Sequence, residues 1–274
     1  MPITQRQGVA LHYQVLGEGP PLLLLMGFGM DHQGWMMQIP DLQRDFRLIL
    51  MDNRGVGRSD APPGPYSVRE MASDAVAVLD ACEVEQAHVV GLSMGGMIAL
   101  QMALEHGRRM NRLVLACTTA CLGEFGERTV QEVSERMGLD LTAEDPNELA
   151  DVNMEQVARE LIALSFSRDM IEKAAPMIEQ LLQQALRWLP TPQVLHAQYA
   201  GIRAHNVADR LGEIQRPTLV MTAGRDRLIP PEQGEAIAAG IQGATLRAFA
   251  KAGHAINMER APQFNQAVRD FLRS

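Results

Sequence analysis

Five short, continuous apolar runs divide the chain and predict β-strands. They lie at residues 21–26, 47–52, 88–93, 112–117 and 217–222. Strands that are apolar at every position are typical of a parallel sheet that is buried on both faces. Amphipathic helical patterns separate several of these runs, so the alternation of strands and helices predicts a doubly wound α/β sheet.

The pattern after Ser67 is the clearest helix signal. The Ser67 hydroxyl can cap the first turn while Glu70 closes a capping box. The apolar positions that follow recur at helical spacing, at Met71, Ala75, Val78, Leu79 and Cys82. At the start of the chain, residues 3–17 predict an antiparallel hairpin that turns at Gly8. A last amphipathic helix is predicted from its apolar side, at Phe264, Ala267, Val268, Phe271 and Leu272.

The composition changes between residues 122 and 212. Strand-like runs are absent there, and Glu, Gln, Met, Leu and Ala dominate. Prolines interrupt the helical pattern at intervals. The run at 217–222 then resumes the sheet pattern. We therefore predict that residues 1–121 and 213–274 form one α/β core, with a mostly parallel central sheet and helices on both faces. Residues 122–212 are predicted to form an inserted helical cap.

Composition and charge narrow the function classes. The chain has 274 residues, of which 46% are hydrophobic, and this is enough to build a large core. The formal net charge is −8 and no basic run stands out, so nucleic acid and anionic membranes are disfavoured as partners. The N-terminus lacks a long apolar segment, and residues 21–30 are too few to cross a bilayer. We expect a cytoplasmic protein, and its oligomeric state stays open.

The cysteine pattern gives no sign of disulfides or of a metal site. The three cysteines, Cys82, Cys117 and Cys121, cannot all pair, and no Cys/His grouping has zinc-finger spacing. We interpret them as reduced thiols, with Cys117 as a small buried side chain at the end of a strand.

A glycine-flanked serine is the strongest chemical signal. Gly91, Ser93 and Gly95 spell G-x-S-x-G between a predicted strand and a predicted helix, which is the pattern of a sharp turn that exposes a nucleophile. Serine is a weak nucleophile unless a histidine takes its proton and a carboxylate orients that histidine. Asp226 follows the run at 217–222, and His254 follows the strand-like residues 244–250. Loops at the carboxyl edge of a parallel sheet would bring both near Ser93.

Four segments resemble the α/β-hydrolase family: in chain order, "MDNRGVGRSD" at residues 51–60, "GLSMGG" at 91–96, and then "AGRDRLIP" and "AGHAINMERAPQFNQAVRDFL" near the C-terminus. The resemblance covers nearly the whole chain outside the cap. It implies that Ser93 is the nucleophile, His254 the base and Asp226 the orienting acid, with no cofactor and no metal. The most similar branch includes 3-oxoadipate enol-lactonases, carboxylesterases and cofactor-free haloperoxidases. Family members with epoxide hydrolase or haloalkane dehalogenase activity carry aspartate at this position, so those activities are disfavoured.

Acyl transfer also needs donors for the oxyanion, each typically worth roughly 2.7 to 4 kcal/mol of barrier. The resemblance places these donors at the backbone amides of Phe28 and Met94. Their side chains either border an acyl pocket or pack in the core. Most relatives carry histidine where this chain has Met26, so the loop loses a polar anchor. Gly27 and Trp188 are further candidates for substrate contact.

The function expected from these features is hydrolysis of small-molecule carboxylic esters or lactones by water through an acyl-enzyme. Carbon–carbon bond hydrolysis and perhydrolysis stay open because they use the same three residues, and so does a ligand-binding receptor with slow turnover. A cap arginine such as Arg187 could pair with a carboxylate substrate, but its Glu- and Gln-rich context favours a solvated position. The glycine-rich segment 51–60 is interpreted as a tight structural loop rather than a phosphate site.

Overall fold

Eight strands form the sheet in this computed structural model, which describes residues 2–274 except for the side chain of Trp188. The strands are β1 (Ile3–Arg6), β2 (Val9–Leu16), β3 (Pro21–Leu25), β4 (Arg47–Met51), β5 (Ala87–Leu92), β6 (Met110–Ala116), β7 (Thr218–Ala223) and β8 (Thr245–Phe249). The five predicted apolar strands are confirmed within one or two residues at most ends.

Eleven α-helices occur in the described residues. They are α1 (Ile39–Leu42), α2 (Val68–Ala81), α3 (Met94–Glu105), α4 (Gly123–Met137), α5 (Met154–Ser165), α6 (Arg168–Lys173), α7 (Ala175–Trp188), α8 (Pro192–Ala204), α9 (Pro231–Gly240), α10 (Ile256–Glu259) and α11 (Ala261–Arg273). Within residues 2–274, none of these helices combines the length and the apolar character that a membrane span requires.

The strand order across the sheet is β1-β2-β4-β3-β5-β6-β7-β8. Strands β3 to β8 are parallel, whereas β2 pairs antiparallel with both β1 and β4. The hairpin predicted at Gly8 is confirmed, with Gly8 at φ 81°. Strand β5 lies in the middle of the sheet, so its carboxyl end is at the centre of the sheet edge. Every residue of β5 is buried.

Helices cover both faces of the sheet, as predicted. Helices α2, α3 and α9 pack on one face, and α1 and α11 pack on the other around the buried side chains of Trp35 and Phe264. Helix α2 begins with the predicted capping box: Glu70 N donates to Ser67 Oγ at 3.1 Å, and Ser67 N donates to Glu70 Oε2 at 3.1 Å.

The segment between β6 and β7 is helical and has a small core of its own. Side chains from α4, α5 and α8 form that core, among them Met137, Val157 and Leu195. Val207 and Leu211, which the sequence places in the cap, pack instead in the main core under the sheet. The last turn of the segment therefore packs with the α/β core and not with the helical cap.

Two glycines allow α3 to approach the sheet directly after Ser93. A Cβ on Gly91 would lie 2.3 Å from the carbonyl oxygen of Gly95, and a Cβ on Gly95 would lie 2.1 Å from the carbonyl oxygen of Leu25. Both neighbours are backbone atoms of strand β3 or helix α3, and moving them would disrupt the close packing between the helix and the sheet. Only glycine fits at these two positions.

We expect Gly95→Ala to lower the free energy of unfolding by about 1–3 kcal/mol, because the methyl group must push α3 away from β3. Gly107→Ala is the matched control, since a Cβ at Gly107 meets no atom within 4 Å. Chemical denaturation of both variants measures the difference. Equal stability of Gly95→Ala and wild type would contradict the close approach.

Candidate active site

Ser93 lies on the turn between β5 and α3, in a strained backbone conformation. Its φ is 57° and its ψ is −123°, which a non-glycine residue rarely adopts. The turn is fixed on both sides: Ser93 N donates to Ala116 O at 2.9 Å, and Thr118 Oγ1 donates to Ser93 O at 2.7 Å. This geometry holds the serine at the sheet edge, as the G-x-S-x-G pattern predicts.

His254 and Asp226 form a buried hydrogen-bonded pair. His254 Nδ1 lies 2.7 Å from Asp226 Oδ2, and the other carboxylate oxygen accepts the amides of Leu228 and Ile229, both at 2.9 Å. An ionised carboxylate only accepts, so Nδ1 carries the proton and Nε2 is left as the basic nitrogen. His254 and Ser93 line the same cavity.

Cys117 lies beside this pair. The sequence did not predict this contact. Strand β6 ends at Ala116, and Cys117 follows with φ 45°. Its sulfur, an Asp226 carboxylate oxygen and a His254 ring nitrogen all lie within 4.8 Å of one another. Burial raises the pKa of the Cys117 thiol well above its usual range, and the neighbouring charge of Asp226 raises it further. The protonated thiol is poorly suited to bind a metal there.

A second close group joins His12, His32 and Asp52. His32 Nδ1 donates to Asp52 Oδ1 at 2.6 Å, and His12 Nδ1 donates to Oδ2 at 2.8 Å. Burial lowers the pKa of His32, but the hydrogen bond and charge of Asp52 outweigh it and raise that pKa above its ordinary value. Burial likewise raises the pKa of Asp52, yet its hydrogen bonds from His32 hold it below the ordinary value. Because the Asp52 carboxylate accepts from both Nδ1 atoms, the group joins strand β2 to the segments that follow β3 and β4.

The glycine-rich segment 51–60 is a structural loop. Arg58 N donates to Asp52 Oδ2 at 3.0 Å, so the loop closes locally. Arg54 also ties this loop to the helix beyond it, since its guanidinium donates to Asp74 of α2 at 2.7 and 2.9 Å. This ion pair fixes the loop to α2. The Arg54 guanidinium is therefore not available to bind a phosphate.

Residues 26–30, the 26–30 loop, follow β3 and pass next to Ser93. A Cβ on Gly27 would lie 3.1 Å from the Cβ of Ser93. In the described part of the chain, the amides of Phe28 and Met94 donate to no protein acceptor. The loop has polar anchors in spite of Met26: His32 is fixed to Asp52 just beyond it, and Asn53 Nδ2 donates to Met26 O at 3.0 Å.

A cavity of about 150 Å³ opens beside Ser93 and His254. Most of its wall is apolar, with side chains such as Leu161, Ile162, Ala185, Leu189 and Met258. Gly27 and Phe28 line it, but the Met94 side chain is fully buried in the main core, because α3 packs against the sheet from its first turn. The Trp188 side chain lies outside the described residues.

Polar groups in the cavity wall are few. They include Asp31, Gln33, Gln184 and Asn257, and within the described residues no lysine or arginine lines the cavity. Arg187 is exposed and faces an outer depression next to Gln184. The cap methionines Met137, Met154, Met170 and Met177 are also absent from the described wall, where Met26, Met30, Met36 and Met258 lie instead.

Comparisons with known proteins identify the family. A model of the alpha/beta hydrolase fold matches residues 20–261. The chain is 31% identical to "Putative carbamate hydrolase RutD" of Variovorax paradoxus, over 96% of each chain. It is also 31% identical to 2-hydroxy-6-oxo-6-phenylhexa-2,4-dienoate hydrolase of Comamonas testosteroni, over 96% of this chain and 91% of that protein. The crystal structure of the enol-lactonase from Burkholderia xenovorans superimposes with a TM-score of 0.83, 27% identity and full coverage of both chains. The chain therefore belongs to the alpha/beta hydrolase fold family.

Proposed function

We propose that this hydrolase cleaves neutral carboxylic esters or lactones through a serine acyl-enzyme. One observation carries the proposal: a serine on a strained turn shares a cavity with a histidine whose Nδ1 is held by a buried carboxylate. This arrangement has the three roles of nucleophile, base and orienting acid. Ser93, His254 and Asp226 fill them in that order.

The chemistry follows from the positions of these groups. Ser93 Oγ attacks the substrate carbonyl carbon while His254 Nε2 takes the hydroxyl proton. The amides of Phe28 and Met94 donate to the oxyanion, and collapse of the tetrahedral intermediate expels the alcohol with the proton from His254. His254 then deprotonates a water molecule, which attacks the acyl-enzyme. The carboxylic acid leaves, and the proton returns to Ser93.

The cavity favours neutral substrates. In the described wall the ionisable groups are Asp31 and His254. Asp31 is 6% exposed, and its carboxylate accepts from Gln33 N and Nε2 at 2.9 and 3.0 Å. A substrate carboxylate buried there would face a like charge and no arginine partner. The names of the dienoate hydrolase and of 3-oxoadipate enol-lactonase refer to carboxylates, so those substrates suit this cavity poorly.

Carbamate hydrolysis is a second candidate. Two relatives at 31% and 30% identity carry the name "Putative carbamate hydrolase RutD". A neutral carbamate ester presents a carbonyl of the same geometry as an ester, so Ser93 and His254 would act identically on it. The cavity volume of about 150 Å³ is similar to that of an engineered cavity that holds benzene, which favours a small acyl or carbamoyl group.

We expect a fluorophosphonate to label Ser93 stoichiometrically, and Ser93→Ala to abolish labelling and lower kcat by about 10⁶. Ser73→Ala, at a half-buried position of α2 away from the cavity, is the matched control and should behave as wild type. Mass spectrometry of the labelled peptide, with ester and carbamate turnover beside it, measures both effects. Labelling at another serine would overturn the assignment. Labelling of Ser93 without turnover of esters, lactones or carbamates would favour the receptor alternative.

We expect a neutral short-chain nitrophenyl ester to have a higher kcat/KM than its ω-carboxylate analogue, because no arginine or lysine lines the cavity among the residues that the structure describes. Arg187→Ala should leave the ratio of the two values unchanged. Steady-state kinetics of wild type and variant give the comparison. If the charged ester is preferred and loses that preference in Arg187→Ala, the cavity is an anion site and the enol-lactone interpretation replaces this one.

A further inference from the structure

A buried glutamine joins the cap to the loop that carries the Phe28 amide. Gln198 lies on α8 and is 0% exposed. Its Oε1 accepts the Gly29 amide at 2.9 Å, and its Nε2 donates to Arg54 O at 3.1 Å. We propose that Gln198 is a positioning residue that aims the Phe28 amide at the cavity and so couples α8 to acyl transfer. The inference rests on the proposed function, because the aim of this amide matters only when an oxyanion develops.

The hydrogen bonds along the 26–30 loop show why Gln198 matters. The Phe28 amide shares a peptide plane with Gly27 O, which accepts from Met30 N at the long distance of 3.3 Å. The next peptide plane carries the Gly29 amide, which Gln198 holds at the shorter distance of 2.9 Å. Asn53 fixes only the plane before Gly27, through Met26 O. Loss of the Gln198 bond therefore frees the plane next to the Phe28 amide.

Helix α8 is packed tightly enough to transmit this constraint. Gly29 has φ 68°, and a Cβ there would lie 2.9 Å from Leu195 Cδ2, so α8 touches the loop backbone. Leu195 and Gln198 are three residues apart and share one face of α8. Both ends of the Gln198 amide are engaged, so its carboxamide cannot rotate without losing a buried bond. The loop is thus held by a rigid group.

Gln198→Met tests the proposal, because methionine keeps the size of the side chain and removes both hydrogen bonds. We expect kcat for a neutral ester to fall about 10- to 100-fold with KM within about twofold of wild type, since a displaced donor loses transition-state stabilisation rather than substrate binding. A trifluoromethyl ketone, which forms a tetrahedral adduct with serine, should lose affinity by a similar factor. The matched control is Gln101→Met, a buried glutamine on α3 that bonds Glu105 at 2.7 Å, and its kcat should be unchanged.

A folded Gln198→Met variant with wild-type kcat and ketone affinity would overturn the proposal. So would a rise in KM with kcat unchanged, which would indicate a role in substrate binding only. The proposed function fails separately, if wild type neither turns over esters, lactones or carbamates nor is labelled at Ser93.

Gln198→Glu keeps the proposal testable if the methionine variant does not fold. A protonated glutamate reproduces both bonds, because its carbonyl accepts from Gly29 N and its hydroxyl donates to Arg54 O. Burial raises the pKa of such a carboxyl, and above that pKa its protonated fraction falls about tenfold per pH unit. The ratio of kcat in Gln198→Glu to kcat in wild type should therefore rise as the pH is lowered. Ionisation removes the bond to Arg54 O but leaves an acceptor for Gly29 N, so a ratio that does not change with pH would contradict a positioning role for the Arg54 bond.

Discussion

The close approach of α3 to β3 and β5 at Ser93 is the constraint on which the rest of the site depends. Two glycines allow it, and a serine with φ 57° sits between them. The turn places the Ser93 side chain and the Met94 amide at the carboxyl end of the central strand. The strain of this conformation is offset by the surrounding sheet and helix, which bury nearly every residue of β5 and α3. Rigid packing, rather than any single bond, holds the nucleophile.

Around this turn, ionisable side chains are few: the described cavity wall has His254, which the chemistry uses, and Asp31, which Gln33 holds. The Asp226 side chain is fully buried. Its carboxylate is surrounded by backbone amides, by His254 and by the protonated Cys117 thiol. These contacts orient the carboxylate so that one oxygen accepts from His254 Nδ1. The apolar cavity beyond has a low dielectric, so donors aimed at a developing oxyanion act there more strongly than in water. The same apolar wall is what disfavours charged substrates.

The sequence predicted what depends on local pattern. The buried strands, the capping box at Ser67 and the chain positions of Ser93, Asp226 and His254 follow from periodicity, caps and motif spacing. It did not predict contacts between distant segments, because these depend on the strand order. Gln198 meets Gly29 across 169 positions, and Cys117 meets Asp226 because β6 and β7 are neighbours in the sheet. Helical periodicity alone also left open whether the Met94 side chain lines the cavity or packs in the core.

Asp226→Asn tests the central claim most directly, since it changes the partner of His254 and almost nothing else. The asparagine amide donates as well as accepts, and it favours the imidazole tautomer whose Nε2 carries the proton and cannot serve as the base. The account predicts a folded variant with thermal stability near that of wild type and a kcat for a neutral ester that is lower by about 10⁴. A kcat near that of wild type would contradict the account, because a different carboxylate, or none, would then orient His254.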